Sequence, residues 1–283
     1  MRNVLTLAEY QLRAIRRPLA VLLAAVGPIQ FLLAFALLAT GFSPGLLSEG
    51  FSTPELLTTY SLSFLVPAGF IAAAALLNFW VTARQNGRSR SIYTLMTLPG
   101  PRGAVFAAGV LSGLLAIGAV IAATALWNML LYAPLCALGR AMTFARDSEA
   151  AARLAGLGGT LQGWQAATPF LHNGLFLSMV RSGWMRLLLP LTPLAALLFA
   201  AHLLAMVSCL QALCMRRGLM RLAHGILLAA SVLLCLDTLF RQFMLSMQQV
   251  RTIHEPLVLL AQLALAGIAW ASALRSLARA QNL

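Results

Sequence analysis

Few residues of this chain are of a type that performs chemistry, and they lie far apart in the sequence. The four Cys and four His form no C-x-x-C pair and none of the close spacings that zinc sites require. All four Cys stand in apolar stretches, where a Cys is usually a small buried hydrophobic residue. We therefore predict that the chain holds no metal ion and no cofactor of its own.

A few ionisable residues inside or beside long apolar runs are functional candidates, because a charge in lipid is costly. Asp237 is the one acid within such a run, which excludes a catalytic pair of aspartates, and Arg241 follows it by one helical turn. We favour an ion pair at the membrane interface for these two residues over a substrate contact. His202 has no charged neighbour in sequence; a packing role is favoured for it, and a proton relay stays open.

No catalytic set and no nucleotide-binding motif is recognisable. The 20 basic residues are all Arg, so the Gly-x-x-x-x-Gly-Lys loop that holds ATP phosphates is excluded. We predict that the chain is not an enzyme. Uncharged polar residues inside the apolar runs could bridge helices or line a narrow path. They are Gln30, Asn78, Asn128, Gln211 and Gln262.

The composition is that of a protein dissolved in lipid. Of 283 residues, 60% are hydrophobic and only 10% are charged, whereas an ordinary soluble domain carries about 25% charged residues. A bilayer core of about 30 Å is crossed by about 20 apolar helical residues. We predict an all-α integral membrane protein with one transmembrane domain, residues 1–283, and six spans. The spans are placed at 18–41, 60–83, 103–136, 187–215, 222–240 and 256–274.

The distribution of charge predicts the orientation. A net charge of +13 would suggest nucleic acid as the partner of a soluble protein, but these Arg lie between apolar runs, so anionic lipid is expected instead. With the N-terminus inside, the inner segments hold most of the Arg and a single acid, Glu9, as the positive-inside rule requires. Both termini are therefore predicted to be cytoplasmic. The long outer segment 137–186 is predicted to lie on the membrane surface or to re-enter it.

Residues 1–17 show a two-faced helical pattern. Val4, Ala8 and Ile15 belong to an apolar face, and basic residues lie on the other side. We predict a helix in the plane of the inner membrane surface that ends in a turn at Pro18. A plain cytoplasmic anchor is the alternative. The basic residues expected to meet lipid headgroups are Arg2, Arg13, Arg16 and Arg17.

The segment 84–102 joins the second and third spans on the cytoplasmic side and is longer than a connector needs to be. A short helix is predicted there, ended by Pro99-Gly100-Pro101, with an exposed apolar patch typical of a docking surface. Packing of this helix against its own bundle is the alternative. The candidate docking residues are Arg88, Arg90, Ile92, Tyr93, Leu95, Met96, Pro99 and Arg102.

The stretch Ser91-Ile-Tyr-Thr-Leu-Met-Thr-Leu-Pro99, followed by Pro101-Arg102, resembles the permease subunits of type-2 ATP-binding-cassette exporters. In that family a segment Y-x-L-L-x-x-L-P-x-x-R links the second and third spans. Tyr93, Leu95, Met96, Leu98, Pro99 and Arg102 stand at comparable positions here. The surface helix and the six spans agree with the family layout. The long outer segment after the third span departs from it, since the family places its re-entrant element before the last span.

The resemblance implies an ATP-driven exporter in a prokaryotic cell membrane. This chain would form the translocation path with a second permease copy or a paralogue. A separate cytosolic ATPase subunit, which binds ATP and Mg, would dock on the segment 84–102. This segment corresponds to the coupling helix of the family and is here termed the docking segment. Two alternatives stay open. One is a non-transporting regulatory, immunity or scaffold protein; the other is an ion-coupled carrier, in which His202 or Asp237 would line a central cavity.

Overall fold

The computed structural model describes residues 2–39, 65–87, 103–146, 193–214, 219–245 and 254–279, and every one of them is helical. The all-α fold class is therefore confirmed for these residues. The helices are α1 (Arg2–Ala39), α2 (Leu65–Gly87), α3 (Gly103–Arg146), α4 (Pro193–Cys214), α5 (Leu219–Leu245) and α6 (His254–Arg279).

Proline and glycine mark several of the helix ends. α4 begins at Pro193, where the missing N–H costs nothing because the first turn has no intrahelical acceptor. α2 ends at Gly87, a residue type that commonly ends helices because it adopts conformations that other residues avoid. The sequence Pro101-Arg102 stands immediately before α3, which begins at Gly103.

Four of the helices are long and apolar enough to cross a membrane, and each of the six helices overlaps one predicted span. The four segments are Val4–Leu33, Gly103–Leu131, Ala196–Cys214 and Pro256–Arg275, and α2 contains a shorter apolar segment, Ala68–Arg84. α3 continues unbroken through Pro134, and at 1.5 Å per residue it is about 66 Å long, roughly twice the bilayer core. It therefore continues beyond one straight span.

The predicted turn at Pro18 is wrong, because α1 is one continuous helix from Arg2 to Ala39. Proline removes the hydrogen bond to the carbonyl four residues earlier, here that of Ala14. Both Pro18 and Ala14 are exposed. The carbonyl left without its usual partner therefore lies on an outer face, where its loss does not disrupt the packing of the helix. Residues 2–17 are thus the first part of α1 rather than a separate helix.

The chain divides into two compact units. Unit 1 comprises Met1–Ala20, Ala72–Gly118 and Pro190–Leu283, and unit 2 comprises Val21–Ile71 and Ala119–Leu189. In unit 2 the indole N–H of Trp127 donates to the carbonyl oxygen of Leu23 at 3.0 Å. The Trp127 ring covers Gly27 so closely that a Cβ there would collide with it. Gly27 therefore provides the space in which this aromatic side chain seats against α1.

In unit 1, α4 packs against both α5 and α6, and α5 packs against α6. The Trp270 indole of α6 donates to Ser208 Oγ of α4 at 3.0 Å. The same ring meets Phe106 of α3 edge to face, with centroids 4.9 Å apart. A Cβ on Gly103 would lie 2.9 Å from Leu274. These contacts bring the start of α3 beside the end of α6.

Candidate functional site

All eight candidate docking residues, Arg88 to Arg102, lie outside the described residues, so the docking assignment stays a prediction. The structure does describe the two helices that the segment connects, since α2 ends at Gly87 and α3 begins at Gly103. The helix ends beside this connection form the candidate site.

Contacts within unit 1 gather six helix termini at one end. Asn78, near the end of α2, bonds to Gly109, near the start of α3. Gln11 of α1 bonds to Ser112 of α3.

The other three helices meet at the same end. A Cβ on Gly225 of α5 would lie 3.9 Å from Leu213 of α4. His224 of α5 is hydrogen-bonded to Ser272 of α6 at 2.6 Å. The starts of α1, α3 and α5 thus lie at the same end as the ends of α2, α4 and α6.

Exposed arginines lie in the terminal turns at this end. They are Arg84 of α2, Arg221 of α5 and Arg275 of α6. The Arg84 guanidinium lies 5.1 Å from the centre of the Trp80 ring, a cation–π contact. This end, beside the connection between α2 and α3, is therefore positively charged.

The first part of α1 packs against protein as well as presenting charge outward. Ala8, Gln11 and Ile15 are buried at a spacing of three and four, and Gln11 Oε1 accepts a bond from the Ser112 hydroxyl at 3.0 Å. Leu5 is exposed. One part of the face predicted to contact lipid is therefore buried within the protein, and another part, at Leu5, is exposed.

The basic residues predicted for lipid contact lie on α1. Arg13, Arg16 and Arg17 are exposed, and Arg2 is the first residue of α1. Arg13 makes an ion pair with Glu9 at 2.7 Å, with 73% and 61% of the two side chains exposed. An exposed pair of this kind contributes little to stability. Headgroup contact by these residues stays a prediction.

A buried polar cluster joins α1, α2 and α3; we call it the inner cluster and define it as Gln11, Asn78, Gly109 and Ser112. The Ser112 hydroxyl has three acceptors within reach, Gln11 Oε1 at 3.0 Å, Asn78 Oδ1 at 3.2 Å and the Gly109 carbonyl at 3.0 Å. Asn78 Nδ2 donates to the Gly109 carbonyl at 3.1 Å. Thr82 adds a bond to the Asn78 carbonyl at 2.9 Å within α2. Hydrogen bonds thus hold these three helices together beside the predicted docking segment.

Two glycines make the surface of α3 flat where α2 and α4 approach it. A Cβ on Gly113 would lie 2.7 Å from both Asn78 Nδ2 and Val207 Cγ1, and a Cβ on Gly109 would lie 2.8 Å from Gln211 Oε1. The spacing Gly-x-x-x-Gly is a recurrent helix-packing motif in membranes, because it lets backbones come close. Here it admits amide side chains from two neighbouring helices.

Gln211 of α4 lies against the inner cluster without joining it. The side chain is 1% exposed, and neither amide atom has a hydrogen-bond partner among the residues that the structure describes. Nearby, the Cys214 thiol donates a weak bond to the Phe79 carbonyl of α2 at 3.6 Å. At this end of the bundle, α4 therefore buries an amide that makes no hydrogen bond to the other described residues.

The ionisable candidates inside the helices lie in two of them, His202 in α4 and Asp237 with Arg241 in α5. His202 is 5% exposed in α4, and neither ring nitrogen has a partner within the described ranges. Asp237 is half-buried in α5, and Arg241 follows it by one turn in the same helix. Their predicted ion pair stays a prediction.

A site that could hold a metal ion is not found in the part of the chain that the structure describes. Within it, no three His, Cys, Asp or Glu side chains come close enough to hold a metal ion. Cys209, Cys214 and Cys235 form no disulfide. The chemistry available to the inner cluster is neutral hydrogen bonding between helices.

Sequence reasoning missed part of this cluster. The sequence indicates that Asn78 and Gln211 bridge helices or line a narrow path, but it did not single out Gln11 and Ser112. Gln11 falls three residues after Ala8 and four before Ile15, on the stripe that is buried. That spacing, together with the Gly-x-x-x-Gly spacing around Ser112, is the signal that could have identified both residues.

Comparison with protein-family models, with curated protein sequences and with solved structures finds no match to this chain.

Proposed function

We propose that this chain is the transmembrane subunit of an ATP-driven exporter, coupled to a separate cytosolic ATPase subunit. The observation that carries the proposal is the sequence of the docking segment 84–102, with its predicted apolar patch, its basic residues and its resemblance to the coupling helix of type-2 exporter permeases. Two copies of the chain, or the chain and a paralogue, form the path. An amphipathic or lipid-like substrate suits so apolar a protein.

The inner cluster supports this proposal mechanically. Force applied to a segment between α2 and α3 moves the bundle only if those two helices move together. Asn78 of α2 bonds to Gly109 and Ser112 of α3, and Gln11 attaches α1 to the same place. A push on the docking segment is therefore delivered to three helices as one body.

The exposure of two carboxylates is described, and neither is fully buried, which also favours an external energy source. Ion-coupled carriers commonly use ionisable groups within the membrane to bind the driving ion. The acids described here are exposed Glu9, half-buried Asp237 and Glu255, which stands at the second residue of α6. ATP hydrolysis in a partner subunit would supply the energy instead.

The first experiment is mild solubilisation of the membrane, followed by affinity purification of this chain. A nucleotide-binding subunit is expected to co-purify in roughly equal amount. If the chain is recovered intact and alone under conditions that preserve other transporter complexes, the proposal is contradicted and a non-transporting role gains weight.

The second experiment tests the docking residues. Tyr93→Asp and Leu95→Asp place charges on the predicted apolar patch, where desolvating an unpaired carboxylate is costly. The affinity of the chain for the ATPase subunit should therefore fall about ten-fold or more. Thr94→Asp is the matched control, since it adds the same charge in the same segment on the opposite side of the predicted helix. Equal affinity in all three variants would show that the patch does not bind the ATPase.

A second candidate function rests on one observation: His202 is buried, and its ring has no hydrogen-bond partner among the described residues. A proton-coupled carrier would use such an imidazole as a relay. His202→Gln keeps the polarity and removes the titration. Transport in sealed vesicles that needs a proton gradient but no ATP, and that is lost in this variant, would favour the carrier over the exporter.

A further inference from the structure

The inner cluster is asymmetric, and the asymmetry concerns α4. On the α1 and α2 side, Gln11 and Asn78 are both hydrogen-bonded to α3. On the α4 side, Gln211 presses its amide against Gly109 with both of its polar atoms unpaired within the described residues. A buried unpaired amide is costly, and native proteins rarely keep one without a reason.

Asn78, which contacts the same part of α3, has unused hydrogen-bonding capacity. Its Nδ2 carries two hydrogens, and the described contacts use one of them, on the Gly109 carbonyl. Asn78 Nδ2 and Gln211 Oε1 lie against neighbouring turns of α3, at 2.7 Å and 2.8 Å from the positions that Cβ atoms on Gly113 and Gly109 would take. The two amides thus lie against the same short stretch of α3.

We propose that Asn78 and Gln211 form a hydrogen-bonded latch in a second conformation of the bundle, in which α4 has shifted along α3 toward α2. Asn78 Nδ2 then donates to Gln211 Oε1 and keeps its bond to Gly109. The described conformation is the open state of this latch. Because Gly109 and Gly113 have no side chains, nothing projects from α3 at these two positions to block the movement of α4 along it.

The latch deepens the proposed function, and only its role in transport rests on that function. In an exporter, force on the docking segment would move α2 and α3 against α4, and closing the latch would stabilise the moved state. The hydrogen-bonding deficit of Gln211 is a property of these helices alone, so it can be tested on the purified chain.

The stability test compares two buried glutamines. Gln211→Leu removes an unpaired amide and keeps the volume, so the Tm of the purified chain in detergent should rise by about 2–4 °C. Gln262→Leu is the matched control, because Gln262 is 0% exposed but has both amide atoms bonded to Ser231; its Tm should fall by a similar amount. A Tm of Gln211→Leu that is unchanged or lower overturns the latch, since the amide would then already be satisfied.

The closing test measures the second conformation directly. Asn78→Cys and Gln211→Cys are combined in a chain whose four natural Cys are replaced by Ser, and disulfide formation under mild oxidation is followed on gels. This pair should cross-link at least five-fold faster than the control pair Asn78→Cys and Ser231→Cys. Ser231 lies on α5. A rate no higher than that of the control overturns the latch, even if the Leu variant fails to fold.

These outcomes separate the latch from the exporter. Cross-linking and a stabilised Gln211→Leu chain, without any co-purifying ATPase, would leave the latch standing and remove the proposed function. An ATPase that binds and drives transport, with no cross-linking, would keep the function and remove the latch. If both hold, adding ATP and vanadate to the complex should change the cross-linking rate several-fold.

Discussion

The α5–α6 contact and the α3–α4 contact bury the same kind of side chain in opposite ways. Between α5 and α6, Gln262 Oε1 accepts from the Ser231 hydroxyl at 2.8 Å and its Nε2 donates to the Ser231 carbonyl at 3.0 Å. Between α3 and α4, the Gln211 amide meets Gly109 and has no partner in the described part of the chain.

The difference concerns which pairs of helices can move. Paired amides determine the register of α5 against α6, since any sliding breaks two bonds at once. Glycines at the α3–α4 contact bring the backbones close but leave the register to van der Waals packing alone. One contact is thus built as a fixed joint, and the other as a surface along which a helix can shift.

The largest effect is expected from filling the smooth surface of α3. Gly113→Ala places a Cβ 2.7 Å from Asn78 Nδ2 and from Val207 Cγ1, so either α2 or α4 must move away. We expect the free energy of unfolding, measured by SDS titration in micelles, to fall by about 3 kcal/mol. Gly118→Ala is the control, because nothing lies within 4 Å of that position; it should be neutral or slightly stabilising. Equal losses would mean that close approach at Gly113 is unimportant.

The next effect concerns the hub of the inner cluster. Ser112→Ala leaves Gln11 Oε1 and Asn78 Oδ1 without the hydroxyl they share. We expect a loss of about 2 kcal/mol, because buried acceptors lose their partner and regain no water. The α1 segment should also become more accessible to proteases near Gln11. A loss below about 0.5 kcal/mol would indicate that the cluster does not hold α1 to α3.

The same substitution in the fixed joint should cost less. Ser231→Ala removes one bond to Gln262 and keeps the other, since the Ser231 carbonyl still accepts from Nε2. The expected loss is about 1 kcal/mol in the same titration. Should Ser231→Ala prove more damaging than Ser112→Ala, the inner cluster would hold its helices less firmly than the α5–α6 contact holds its two.

The smallest effect is expected outside both contacts. Glu9→Gln breaks the exposed ion pair with Arg13, and stability should change by no more than about 0.5 kcal/mol because both groups are solvated. High salt should abolish even this difference in the wild-type chain. A larger change would show that the surface of α1 is held by its charges rather than by the buried stripe that contains Gln11.

Parts of this architecture follow from patterns that are local in the sequence. The apolar runs predict helices because backbone groups in lipid must bond within their own segment, and all of the described residues are helical. The turn at Pro18 failed because proline is compatible with a helix when the orphaned carbonyl, here that of Ala14, lies on an exposed face. Exposure is decided by packing, which a local pattern does not contain.

The sequence alone determined the class of molecule, a chain of long apolar helices, because hydropathy and helix period are properties of single segments. Only the tertiary structure decided which polar residues meet. Gln11 and Ser112 are 101 positions apart, and they meet because separate helices are packed side by side. Both amide atoms of Gln262 are hydrogen-bonded, whereas those of Gln211 have no partner among the described residues. The difference depends on which polar groups the neighbouring helix places beside each side chain.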